Sequence, residues 1–102
     1  MEKYILYRLG KLNEDNEVDP SDSEELVAVE YGNTLDDVLE DILRGIRDDL
    51  EGLGEYAKCS FDAYGPTDQN YTHPPFSFMG VVVPPAANSN ILYDYTVEVE
   101  ES

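Results

Sequence analysis

Between Lys3 and Leu9 the chain runs through Tyr4-Ile5-Leu6-Tyr7, a stretch of aromatic and β-branched side chains that predicts a strand stopped by Gly10. Residues 26–31, Leu26-Val27-Ala28-Val29-Glu30-Tyr31, predict a second strand ended by Gly32-Asn33 and able to pair with the first as a hairpin. The connection between them, residues 13–25, has no apolar periodicity and contains Pro20, two serines and seven carboxylates. That composition predicts a solvated, flexible loop.

The apolar period then changes from two to three and four. Leu35, Val38, Leu39, Ile42, Leu43, Ile46, Leu50 and Leu53 form one stripe of an amphipathic helix. Thr34 with Asp37 supplies a capping box at its start, and Gly52 and Gly54 supply its stop. On the opposite face fall Asp36, Asp37, Glu40, Asp41, Asp48 and Glu51, with Arg44 and Arg47 among them. Glu40 with Arg44, and Arg44 with Asp48, have the spacing of surface ion pairs worth about 0.2–0.5 kcal/mol each. Asp49 alone lies near the edge of the apolar stripe.

Alternation returns after the helix. Residues 56–64 put Ala57, Cys59, Phe61 and Ala63 on one face, which predicts a strand with Cys59 in the core. A loop at 65–75 leads to a strand at 76–83, closed by Pro84-Pro85. A last strand at 91–99 places Ile91, Tyr93, Tyr95, Val97 and Val99 on one face and Leu92, Asp94, Thr96 and Glu98 on the other. The order ββαβββ predicts an α+β fold in which one amphipathic helix packs on a mainly antiparallel sheet, a single acidic domain over residues 1–102.

With 41% hydrophobic residues, eight tyrosines and three phenylalanines, 102 residues suffice for one modest core. The lone Cys59 can form no internal disulfide, which fits a reducing compartment. Neither an apolar run of about 18 residues nor a leader pattern is visible, so the expectation is a cytoplasmic protein.

Charge sharpens the picture. The net charge is −17, and residues 14–51 hold 15 of the 23 acidic residues against two basic ones, a local net of −13. Such a field repels phosphates, which excludes nucleic acid and anionic membrane as ordinary direct partners and favours a basic protein surface.

Candidate chemistry is sparse. Cys59 and His73, the only histidine, could form a thiolate dyad, but a cysteine on an apolar strand face and a histidine in a Tyr-Thr-His-Pro-Pro loop read more simply as packing and loop residues. Counted from Asn13, the residues Asn13, Asp15, Glu17, Asp19, Ser21 and Glu24 follow the ligand spacing of a calcium loop, yet Val18 stands where that loop needs glycine. Ser21 and Ser23 precede carboxylates in a pattern suited to an acidophilic kinase, though a very short one. No phosphate-binding glycine loop, zinc cluster or nucleophile elbow is present, and no cofactor is expected.

Charge, size and α+β pattern together resemble, in general character, phage-encoded inhibitors of host defence: anti-restriction proteins, uracil-glycosylase inhibitors and anti-CRISPR proteins. The resemblance implies a non-enzymatic inhibitor whose carboxylates stand in for DNA or RNA phosphates on a nucleic-acid-binding enzyme or nuclease complex. Contact residues are then expected on the helix at Asp36, Asp37, Glu40, Asp41, Asp48 and Glu51, and in the connection at Glu14, Asp15, Glu17, Asp19, Asp22 and Glu24. Tyr64 and Tyr71, flanking the polar 65–75 loop, join them as candidate interface anchors. The ordered helix would make contact and the connection would supply long-range attraction. The alternatives are an acidic immunity or regulatory protein that neutralises a basic toxin or adaptor, and, further off, a calcium-binding module.

Overall fold

Six elements follow one another in the order ββαβββ in the computed structural model, which describes residues 1–67, 73–86 and 89–101: β1 (Glu2–Lys11), β2 (Glu25–Gly32), α1 (Leu35–Gly52), β3 (Ser60–Tyr64), β4 (Phe76–Val83) and β5 (Ile91–Glu101). The strands form one five-stranded sheet in the order β2-β1-β5-β4-β3, with every neighbouring pair antiparallel. First and last strands therefore meet near its middle, and β2 and β3 are its edges.

The helix begins where Thr34 and Asp37 satisfy each other's backbone. The Asp37 N–H donates to Thr34 Oγ1 at 3.4 Å, and the Asp37 carboxylate accepts from the N–H groups of Thr34 at 3.0 Å and Asn33 at 3.1 Å. It ends at Leu53, followed by Gly54 in a left-handed conformation at φ 72°. Val38, Ile42, Ile46 and Leu50 turn to the sheet and are fully buried against Tyr4 and Leu6 of β1, Phe76, Phe78 and Val82 of β4, and Tyr93, Tyr95 and Val97 of β5. Full burial of each such side chain contributes about 1.5–3 kcal/mol. Gly80 lets the layers come this close, since a Cβ there would stand 2.8 Å from the Tyr95 ring and 2.9 Å from Leu50.

Two local expectations change. Gly10 does not stop the first strand; it lies inside β1 at φ 146°, where the pairing with β5 shifts register between Arg8 and Gly10. A bulge of this kind needs glycine's freedom, and a Cβ there would also strike Asp22 and Val18 of the connection that folds back over it. The strand foreseen at 56–64 shrinks to Ser60–Tyr64, because residues 56–59 turn with Lys58 at φ 65° and the Cys59 N–H donating to the Tyr56 carbonyl. The alternation of Ala57 with Cys59 was thus a coincidence of turn residues. Ala57 is exposed, while Cys59 is half-buried against the core with Phe61 and Ala63.

The acidic connection is exposed, as its composition requires, but it has built-in turns. Leu12 and Val18 bridge across a tight reversal in which Asn13 Oδ1 accepts the N–H groups of Asp15 at 2.9 Å and Glu17 at 3.1 Å. Further on, Asp19 Oδ1 accepts both the N–H and the hydroxyl of Ser21, and these bonds pull the Asp19 carboxyl below its ordinary pKa. The Asp22 carboxylate then accepts the Lys11 N–H at 3.2 Å, tying the connection to β1.

Candidate partner-binding surface

On α1 the outward face carries Asp36, Glu40, Asp48 and Glu51, all exposed. Asp37 is exposed too, but its carboxylate is held by the capping box. Arg44 pairs with Asp41 one turn back, not with Glu40 or Asp48, so those two carboxylates project without that cation. No basic residue stands in the last turn, where Asp48 and Glu51 face the negative end of the helix dipole.

Glu14, Asp15, Glu17, Asp19, Asp22 and Glu24 are exposed along the connection. Between the connection and the segment after the helix lies an open cleft of about 1180 Å³, lined by Arg8, Lys11, Asp19, Asp22, Glu55 and Tyr56 among others. The structure thus gathers the connection and the C-terminal end of α1 at one end of the sheet. Asp36 and Asp37 sit at the start of the helix, about 20 Å away by helical rise.

The calcium-loop spacing does not become a ligand cage. Asn13 and Asp19 turn side-chain oxygens to the connection's own backbone, and Val18 bridges Leu12 where a sharp glycine turn would be required. Among the described residues, no group of three or more His, Cys, Asp or Glu side chains is placed to hold a metal ion. The Cys59 thiol points at the Ala57 carbonyl, 3.7 Å away, and His73 is exposed ahead of β4; neither lines the cleft.

Beneath the acidic helix is a feature that spacing alone did not single out. Arg8 Nη1 donates to both carboxylate oxygens of Asp49, and the Tyr95 hydroxyl donates to Asp49 Oδ2 at 2.6 Å. Burial favours loss of the Arg8 charge, but the hydrogen bonds and charge of Asp49 outweigh it and raise its pKa. Burial and the bond to Asp49 push the Tyr95 phenol well above the ordinary tyrosine value. Tyr93 alongside shares a 2.6 Å hydrogen bond with Tyr56 and meets its ring edge to face. A signal for this network was present: Arg8 has the parity of the core residues Tyr4 and Leu6, so its charge had to find a partner on the helix's inner face.

The sheet's other face carries no helix among the described residues. Pairing places Tyr7 beside Leu26, Ile5 beside Val29 and Glu98, and Lys3 beside Tyr31 and Glu100, all on that side. Leu26 is 61% exposed and Tyr31 57%. Tyr64 pairs with Met79 at the far edge of the same face and is 55% exposed. Tyr71 lies outside the described residues.

Compared with known proteins, the chain matches no family model, no curated protein and no solved structure. No helix among the described residues is long and apolar enough to cross a membrane.

Proposed function

We propose that this chain is a small acidic inhibitor that binds the basic, nucleic-acid-binding surface of a partner protein and occludes it, acting in the cytoplasm by binding and not by catalysis. The observation that carries the reading is the outward face of α1, which stays acidic to its C-terminal end although the helix dipole disfavours carboxylates there. Residues selected for stability alone would place Lys or Arg in that turn. Carboxylates held at fixed helical spacing can replace phosphates in a Lys/Arg-lined groove, in the manner of phage inhibitors of host defence. The connection adds exposed charge whose long-range attraction steers encounter and is weakened by salt.

The test is affinity capture from the native host with the wild-type chain and with a variant in which Asp36, Glu40, Asp48 and Glu51 are replaced by Asn or Gln. A basic nucleic-acid-binding protein should be retained by the wild type at low salt and lost by the variant. Retention of no basic protein, or equal retention by both chains, overturns the reading.

A further inference from the structure

The sheet face opposite the helix has an apolar centre and an acidic border. Leu26 and Tyr31 on edge strand β2, with Tyr7 of β1 and Val29 between them, lie on one side over Ile5, which is buried although it does not belong to the helix-side core. Two of the largest exposed apolar side chains of the described residues, Leu26 and Tyr31, thus share one patch. Such concentration on a small domain marks an interaction surface.

Its border is acidic. Glu98 and Glu100 project beside Ile5 and Lys3, and the Tyr7 phenol is raised above its ordinary pKa by partial burial and then by the nearby charges of Glu98, Glu24 and Glu100. Lys3 is the cation within the patch, 3.9 Å from Glu100. Apolar and aromatic anchors inside a charged rim have the anatomy of a protein interface.

We infer that this face docks a protein segment that presents apolar side chains flanked by lysine or arginine. Charge selects that occupant. A second copy of the chain would press two carboxylate borders together, and nucleic acid or an anionic membrane would meet the same repulsion. The inference rests on the acidic-inhibitor reading and adds a contact on the side of the sheet away from α1, so a partner that engages both must reach around the edge strand β2.

Two synthetic peptides with the same number of lysines test it, one alternating leucine with lysine and one with serine in place of leucine. Each is titrated into the isotope-labelled chain, with binding read from amide shifts and from a fluorescent label on the peptide. The leucine peptide should bind about tenfold more tightly than the serine peptide, with shifts centred on Tyr7, Leu26, Val29 and Tyr31. The Leu26→Ser/Tyr31→Ser double variant, changed only at exposed positions, should keep the spectrum of α1 and lose most of that tenfold preference. Equal affinities, shifts confined to the acidic face of α1, or dimerisation of the chain without peptide would each overturn the inference while leaving the acidic reading in place. Failure of both peptides to bind at low salt would remove the acidic reading as well.

Discussion

The guanidinium of Arg8, on β1, reaches both carboxylate oxygens of Asp49 on the helix at 2.8 and 2.7 Å, with the two side chains 19% and 17% exposed. This pair spans the two layers where the apolar stripe of α1 gives way to charge. Removing either partner leaves the other partly desolvated, so Arg8→Met or Asp49→Asn should each cost about 1–3 kcal/mol, below the figure for a fully buried pair because solvent still reaches this one. The Arg8→Met/Asp49→Leu double variant should cost less than the sum of the single changes, and urea unfolding of the four proteins measures the coupling.

Gly80 tests the packing of helix on sheet. An alanine methyl would have to displace the Tyr95 ring, Leu50 and Ile46, the last at 3.0 Å, and all three are buried. Gly80→Ala should destabilise by about 1–3 kcal/mol through overpacking, even though alanine suits a strand better than glycine does. Gly52→Ala, where a Cβ meets nothing within 4 Å, is the matched control, and its unfolding midpoint should not fall.

Alkaline pH tests the polar layer below the helix. The folded chain holds the Tyr95 proton more tightly than an unfolded tyrosine, through burial and then through the bond to Asp49, and Tyr93 behaves alike through burial and Tyr56. Above about pH 10 the unfolded state gives up protons that the folded state keeps, so this stabilisation is complete below that pH and falls away as pH rises beyond it. Denaturation midpoints measured across that range should drop in the wild type and drop less steeply in Tyr95→Phe, which itself loses about 1–3 kcal/mol at neutral pH.

The helix and the β5 strand could be read directly from periodicity, because each has an apolar stripe that only one period explains, and the capping box could be read from Thr34 and Asp37. Local reading failed where backbone geometry decides: Gly10 looks like a terminator until a bulge and a folded-back connection need it, and residues 56–59 alternate while forming a turn. The helical carboxylates were legible as an outward face. Their sheet-side counterpart was not, since the patch of Tyr7, Leu26 and Tyr31 depends on strand register, which residue spacing within one strand does not contain.

The last turn of α1 separates stability from function. Asp48→Lys and Glu51→Lys each reverse an unfavourable charge at the negative end of the dipole and reduce the self-repulsion of a chain with net charge −17. Each should stabilise the fold by about 0.3–1 kcal/mol at low ionic strength, with the gain shrinking as salt is added. Thermal unfolding at two salt concentrations measures it. The same variants should bind a captured basic partner more weakly, so a gain in stability accompanies a loss of binding.

Occlusion of a nucleic-acid site makes the chain and nucleic acid competitors for one surface. With a basic partner in hand, its affinity for this chain is measured by titration in the presence of increasing duplex DNA or RNA of the type that partner binds. Binding should be mutually exclusive, with the apparent dissociation constant for the chain rising linearly with added duplex. A ternary complex, with duplex and chain held together at undiminished affinity, would contradict occupation of the nucleic-acid site.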